Sequence, residues 1–147
     1  MRKLILAISV LALAGTAASA DPIADRKALM KANGKAAGVL AAIVKGEQPF
    51  DAAAVLAALT TLKEDADKLD AQAAALFPAG SDKGDTTASP KIWQDWAGFE
   101  AKIDGFKTDA DAAVAAPPAD ADGVKVALGK IGQNCQSCHE TFRIKKD

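Results

Sequence analysis

Three residues near the end of the chain have the types and spacing to do chemistry together. They are Cys135, Cys138 and His139, in the run Cys135-Gln136-Ser137-Cys138-His139. Two thiols three positions apart lie near one face of a helix, so each can form a thioether with one vinyl group of a flat macrocycle. The imidazole of the next residue then projects at a central iron from the same side. This is the pattern of covalent haem attachment. The chain has no other cysteine and no other histidine, too few soft ligands for a four-coordinate zinc site. A disulfide between the two cysteines would close a very short loop and stabilise almost nothing. A thioredoxin-like thiol pair needs a βαβ context, which the surrounding residues do not offer.

The start of the chain predicts the compartment. Met1-Arg2-Lys3 is a short positive segment, Leu4 to Ala14 an apolar run, and Ala18-Ser19-Ala20 a small-x-small cleavage pattern followed by Asp21. Residues 1–20 read as a secretory signal peptide, and residues 21–147 as one domain exported to the periplasm. No later segment reaches the roughly 18 apolar residues of a membrane helix, so no stable membrane insertion is expected. Without Arg2 and Lys3 the basic residues fall from 18 to 16 against 19 acids, a formal charge of −3. That balance argues against a nucleic-acid partner.

The elements that must position the motif are helical. Alanine dominates, tyrosine is absent and β-branched residues are sparse. A first helix is predicted from about Pro22 to Lys45, with the stripe Ile23, Arg26, Met30, Asn33, Ala37, Leu40 and Val44. A second runs from about Asp51, a good N-cap, to Phe77, with Val55, Leu59, Leu62, Ala66, Leu69, Ala73 and Leu76 inward. The polar stretch Ser81 to Ala88 is the longest loop and the one expected to touch a ligand. A third helix is predicted from Ser89-Pro90 to Pro117-Pro118, with Ile92, Trp96, Phe99, Ile103, Phe106, Ala110 and Val114 inward. The fourth runs from near Asp120 to about Ile144. Its stripe Val124, Leu128, Ile131, Cys135, Cys138 and Phe142 puts both cysteines on the buried face near the C-terminal end. Four amphipathic helices with short connections predict an all-α antiparallel four-helix bundle.

Three stretches of the chain resemble the cytochrome c′ family of class II c-type cytochromes, and the likeness covers the chain after the signal segment. They are Arg26-Lys27-Ala28-Leu29-Met30-Lys31; Leu76-Phe77-Pro78-Ala79-Gly80 with Gly84-Asp85-Thr86-Thr87-Ala88-Ser89-Pro90-Lys91-Ile92-Trp93; and Asn134 to Arg143. The resemblance implies a four-helix bundle with one haem c near the C-terminus. It implies thioethers at Cys135 and Cys138 and His139 as the axial iron ligand. Arg143 would sit beside the proximal face, one turn on, where it also complements a helix C-terminus. Arg26 and Lys27 would lie near the haem propionates, although many members carry glutamine at the place of Lys27. Thr87 and Ala88 would line the haem edge. An arginine on an otherwise apolar stripe supports a buried anionic partner independently, because an unpaired buried charge is costly.

Met30 decides the mechanism in that resemblance. In cytochrome c′ this position is an apolar cover over a five-coordinate iron that admits only small gases. In the low-spin sister branch a methionine here binds the iron. Leu29-Met30-Lys31-Ala32-Asn33-Gly34 and Lys45-Gly46-Glu47-Gln48-Pro49-Phe50-Asp51 resemble that branch, whereas Arg26 and Gly84-Asp85-Thr86 side with cytochrome c′. A core-filling methionine is the third reading. The expected function is a monohaem electron carrier that exchanges electrons with periplasmic redox partners. Nitric oxide or carbon monoxide would bind at the iron, and Met30 as sixth ligand is the alternative. No enzyme activity is expected, since no second histidine or acid constellation is available for acid–base work. The resemblance also implies a homodimer through the first two helices.

Overall fold

The computed structural model describes residues 21–145. The predicted signal segment, residues 1–20, lies outside the described residues. The described chain forms α1 (Pro22–Val44), α2 (Ala52–Leu76), a single turn α3 (Lys91–Gln94), α4 (Trp96–Ala115) and α5 (Ala121–Phe142). Each long helix starts where an aspartate can satisfy its first amides. Asp21 accepts from Ile23 and Ala24 N–H, with Pro22 at the first helical position. Asp51 caps α2 through Ala53 and Ala54, Asp95 caps α4 through Gly98, and Asp120 caps α5 through Gly123.

The four long helices form an antiparallel bundle. α1 packs against α2 and α5, α4 packs against the same two, and α3 lies against α4 and α5. The stripe predicted for α2 is buried at every position. On α1 the buried face is rotated from the one expected. Leu29, Ala36 and Ile43 are buried with Arg26 and Leu40, while Asn33, Ala37 and Val44 are half-buried and Met30 is 38 % exposed. An alanine-rich helix has a wide apolar arc, and the two neighbouring helices select which part of it is covered.

The predicted third helix is interrupted. Asp95 leaves helical geometry at φ −134°, ψ 65° and its carboxylate accepts from Gly98 N–H at 3.0 Å. The side chain thus starts a second helix inside a sequence whose apolar period continues unbroken. α5 stops at Phe142, earlier than expected, because Arg143 is extended (φ −121°, ψ 135°). Arg143 pairs antiparallel with Ala88. Ser89 N–H donates to Phe142 O at 3.0 Å and Ile144 N–H to Thr87 O at 2.9 Å. The 81–90 loop is thereby pinned to the end of α5.

Aromatic rings close the end of the bundle below this pin. Phe99 meets Phe77 and Phe142 edge-on, with centroids 4.8 and 5.4 Å apart, and Trp93 Nε1 donates to Phe77 O at 3.0 Å. None of the described helices is long and apolar enough to cross a membrane.

Candidate functional site

Beside these rings opens a cavity of about 720 Å³, within the usual range for small-molecule and cofactor sites. Its walls come from sequence-distant elements. α1 contributes Arg26, Lys27, Met30 and Lys31; the loop contributes Asp85 to Ala88; α5 contributes Cys138 and His139, with Arg143 just beyond. Leu69, Phe77, Ile92, Phe99, Ile103 and Phe142 supply the apolar floor. Arg26, Lys27, Met30, Thr87, Ala88, Cys138, His139 and Arg143 thus share one cavity. Cys135 does not line it: it sits one turn earlier, half-buried against the core.

Burial pushes the Cys138 thiol up to about 11, with Cys135 adding to the rise and Lys102 opposing it. Burial also raises Cys135. Both cysteines are therefore neutral thiols at pH 7, the reverse of the low-pKa thiolate of a disulfide-exchange site. They are not joined to each other. Burial lowers the pKa of His139, and Arg143 lowers it further, so the imidazole is held neutral with a lone pair to offer a metal. No group of three or more His, Cys, Asp or Glu that could hold a bare metal ion exists among the described residues. One imidazole and two neutral thiols beside an apolar cavity suit a metal that brings its own macrocycle.

Arg26 is the most buried charge in the wall, at 4 % exposure. Its Nη1 donates to Leu76 O (3.1 Å) and Ser81 Oγ (2.8 Å), and its Nη2 to Ser81 O and Thr86 Oγ1 (2.7 Å). The guanidinium lies 5.1 Å over the Phe77 ring. Each of these partners is neutral. Burial lowers its pKa and Asp21 opposes the shift, yet a guanidinium stays protonated in proteins. The wall therefore carries a positive charge that its hydrogen bonds satisfy but do not neutralise, which fits the acidic edge of a haem. Lys27 is exposed and pairs with Asp85 Oδ2 at 2.5 Å, a contact worth little to stability.

The sequence marked Thr86 only as part of the Gly84-Asp85-Thr86 stretch, not as a site residue. This buried hydroxyl accepts from Arg26 and also from Ala88 N–H, the latter at 3.1 Å. The signal was present, since a buried arginine on α1 needs acceptors and the polar loop is the nearest supply. Lys31 and the apolar floor residues were also missed as site residues. Their patterns are those of ordinary helix faces.

A family description, Cytochrome C′, matches residues 21–143. The chain is 44% identical over 133 residues to cytochrome c-556 of Agrobacterium fabrum, covering 90% of this chain and 88% of that one. It is 45% identical over 132 residues to cytochrome c′ of Rhodopseudomonas palustris, covering 88% of this chain and 86% of that one. A solved structure of cytochrome c′ from Rhodopseudomonas palustris superposes with a TM-score of 0.79 at 42% identity, over 87% of this chain and 99% of that chain.

Proposed function

The chain belongs to the cytochrome c′ family, and from that premise we propose a periplasmic one-electron carrier with a single haem c. The haem is attached through thioethers at Cys135 and Cys138, and small diatomic gases such as nitric oxide and carbon monoxide bind at its iron. The single observation that carries this reading is the shared cavity. It brings Cys138 and the neutral His139 of α5 together with Met30 of α1 and the un-neutralised Arg26. When bound, haem supplies the one-electron chemistry of iron. His139 would offer its lone pair to the iron. Arg26 would hold a propionate through its charge, Lys27 would approach the same edge from the exposed side, and Thr87 and Ala88 would border it. Met30, in the same cavity wall, would limit what reaches the iron to small ligands. Export rests on residues 1–20, the predicted signal segment.

A second reading has its own observation. Met30 lies off the buried stripe of α1 and is 38 % exposed within the cavity wall. A flexible thioether without core packing to restrain it is free to serve as sixth ligand, and the protein would then be an electron carrier alone.

Absorption spectra of the purified protein, oxidised and reduced, with and without carbon monoxide, separate the two. The proposal expects a high-spin ferrous spectrum, rapid carbon monoxide binding, and a Met30→Ala variant that binds the gas faster with little change in the unliganded spectrum. A low-spin wild-type spectrum that Met30→Ala converts to high-spin establishes the second reading instead. We also propose pairing of two copies through α1 and α2, where Val39 and Leu56 are exposed near the connecting turn. Sedimentation of wild type against Val39→Glu/Leu56→Glu should show a dimer become a monomer.

A further inference from the structure

The second half of α5 has no fully buried residue between Ile131 and the pinned Phe142. The helix's buried residues are Val124, Ile131 and Phe142. The last two stand about three turns apart, roughly 16 Å of helix at 1.5 Å per residue. Between them the inward face consists of Cys135 and Cys138, both half-buried. Apolar burial anchors this segment at Ile131 and Phe142, and the stretch between them that carries the haem motif adds only the partial contacts of the two cysteines.

One polar contact bridges that gap. Asn134 Nδ2 donates to Asp109 Oδ2 of α4 at 2.6 Å and to Lys130 O of its own helix at 3.2 Å. The amide's NH₂ group makes the first bond and its oxygen is left to face α4, so the side chain has one orientation. Its Oδ1 rests over Gly105 of α4, where a Cβ would come within 2.8 Å of it. Asn134 is thus bonded to α4 at one point and seated against bare backbone at another. The next residue is Cys135.

We propose that Asn134, held by Asp109 and seated on Gly105, is a positioning residue that sets the rotation of α5 so that Cys138 and His139 face the cavity. This rests on the reading of that cavity as the haem site. The effect on the iron would run through His139, in the way partners behind a metal ligand tune it.

The test uses the haem-loaded protein. Asp109→Leu and Asp109→Asn remove the same charge, but only the asparagine can still accept from Asn134. The proposal expects Asp109→Leu to shift the reduction potential and visible spectrum away from those of Asp109→Asn, and Asn134→Leu to shift them likewise. Gly105→Ala, which displaces Asn134 without removing any polar group, should reproduce that shift. Chains with haem on one cysteine only should increase in the same variants, as read by mass after denaturation. Equal potentials and spectra for Asp109→Leu and Asp109→Asn overturn the proposal, as does an Asn134→Leu protein changed in Tm alone. If Asn134→Leu does not fold, the Asp109 pair decides. Wild-type protein without thioether haem defeats the haem-site reading itself, which the same mass measurement shows directly.

Discussion

A guanidinium at 4 % exposure that meets only neutral oxygens keeps its whole charge in a weakly screened place. Replacing Arg26 by leucine removes that charge and leaves Ser81 and Thr86 without their donor. Reduction adds negative charge at the iron, so the loss of a nearby cation should lower the reduction potential. Potentiometry of Arg26→Leu between pH 5 and 9 checks this, and an unchanged potential throughout would separate Arg26 from the haem edge. Arg26→Lys should fall between, since one ammonium retains the charge but not the planar fork that reaches four acceptors. Met30 differs in kind: its role turns on whether one sulfur atom reaches the iron, and the spectra described above answer at that scale.

Single side chains also decide where helices begin and how well they pack. Asp95 ends one helical turn and caps the next, so Asp95→Ala should cost about 1 kcal/mol and lower Tm with little effect on the visible spectrum. Asp65 on α2 is half-buried, its Oδ2 lacks a hydrogen-bond partner, and burial raises its carboxyl against the pull of Lys68. A carboxyl whose folded pKa lies above its unfolded value near 3.9 destabilises the fold once pH exceeds both. The cost vanishes below the unfolded value. Asp65→Asn should therefore stabilise the protein at pH 7, by under about 1 kcal/mol for a half-buried group. The gain should shrink toward pH 4, and urea denaturation at the two pH values measures the difference.

For the whole molecule the cavity weighs more than any single contact. Without haem, the apolar floor of a cavity of about 720 Å³ would face water, and that cost scales with the apolar area left uncovered. Cys135→Ala/Cys138→Ala should thus lose haem on denaturation in acid and organic solvent, where wild type keeps it. Without haem its circular dichroism should show reduced helix and a broad thermal transition. A cooperative, fully helical apoprotein would mean that the bundle tolerates the cavity.

Much of this molecule was legible before any tertiary information. The Cys135–Cys138–His139 spacing, the Asp51 cap and the α2 stripe depend on interactions within a few residues, which chain order alone encodes. The bundle class follows from them, because a helix with one apolar face must cover it against others. The tertiary structure decided what depends on distant partners. It chose Leu29, Ala36 and Ile43 over Met30, Ala37 and Val44 as the covered face of α1, because packing on α2 and α5 selects among equivalent arcs of an alanine-rich helix. It gave Arg26 its acceptors 50 to 60 positions away. It pinned the 87–89 backbone to residues 142–144, one turn past His139. It also seated Asn134 on Gly105, a contact invisible in sequence because a glycine within a helix does not announce which neighbour its missing side chain admits.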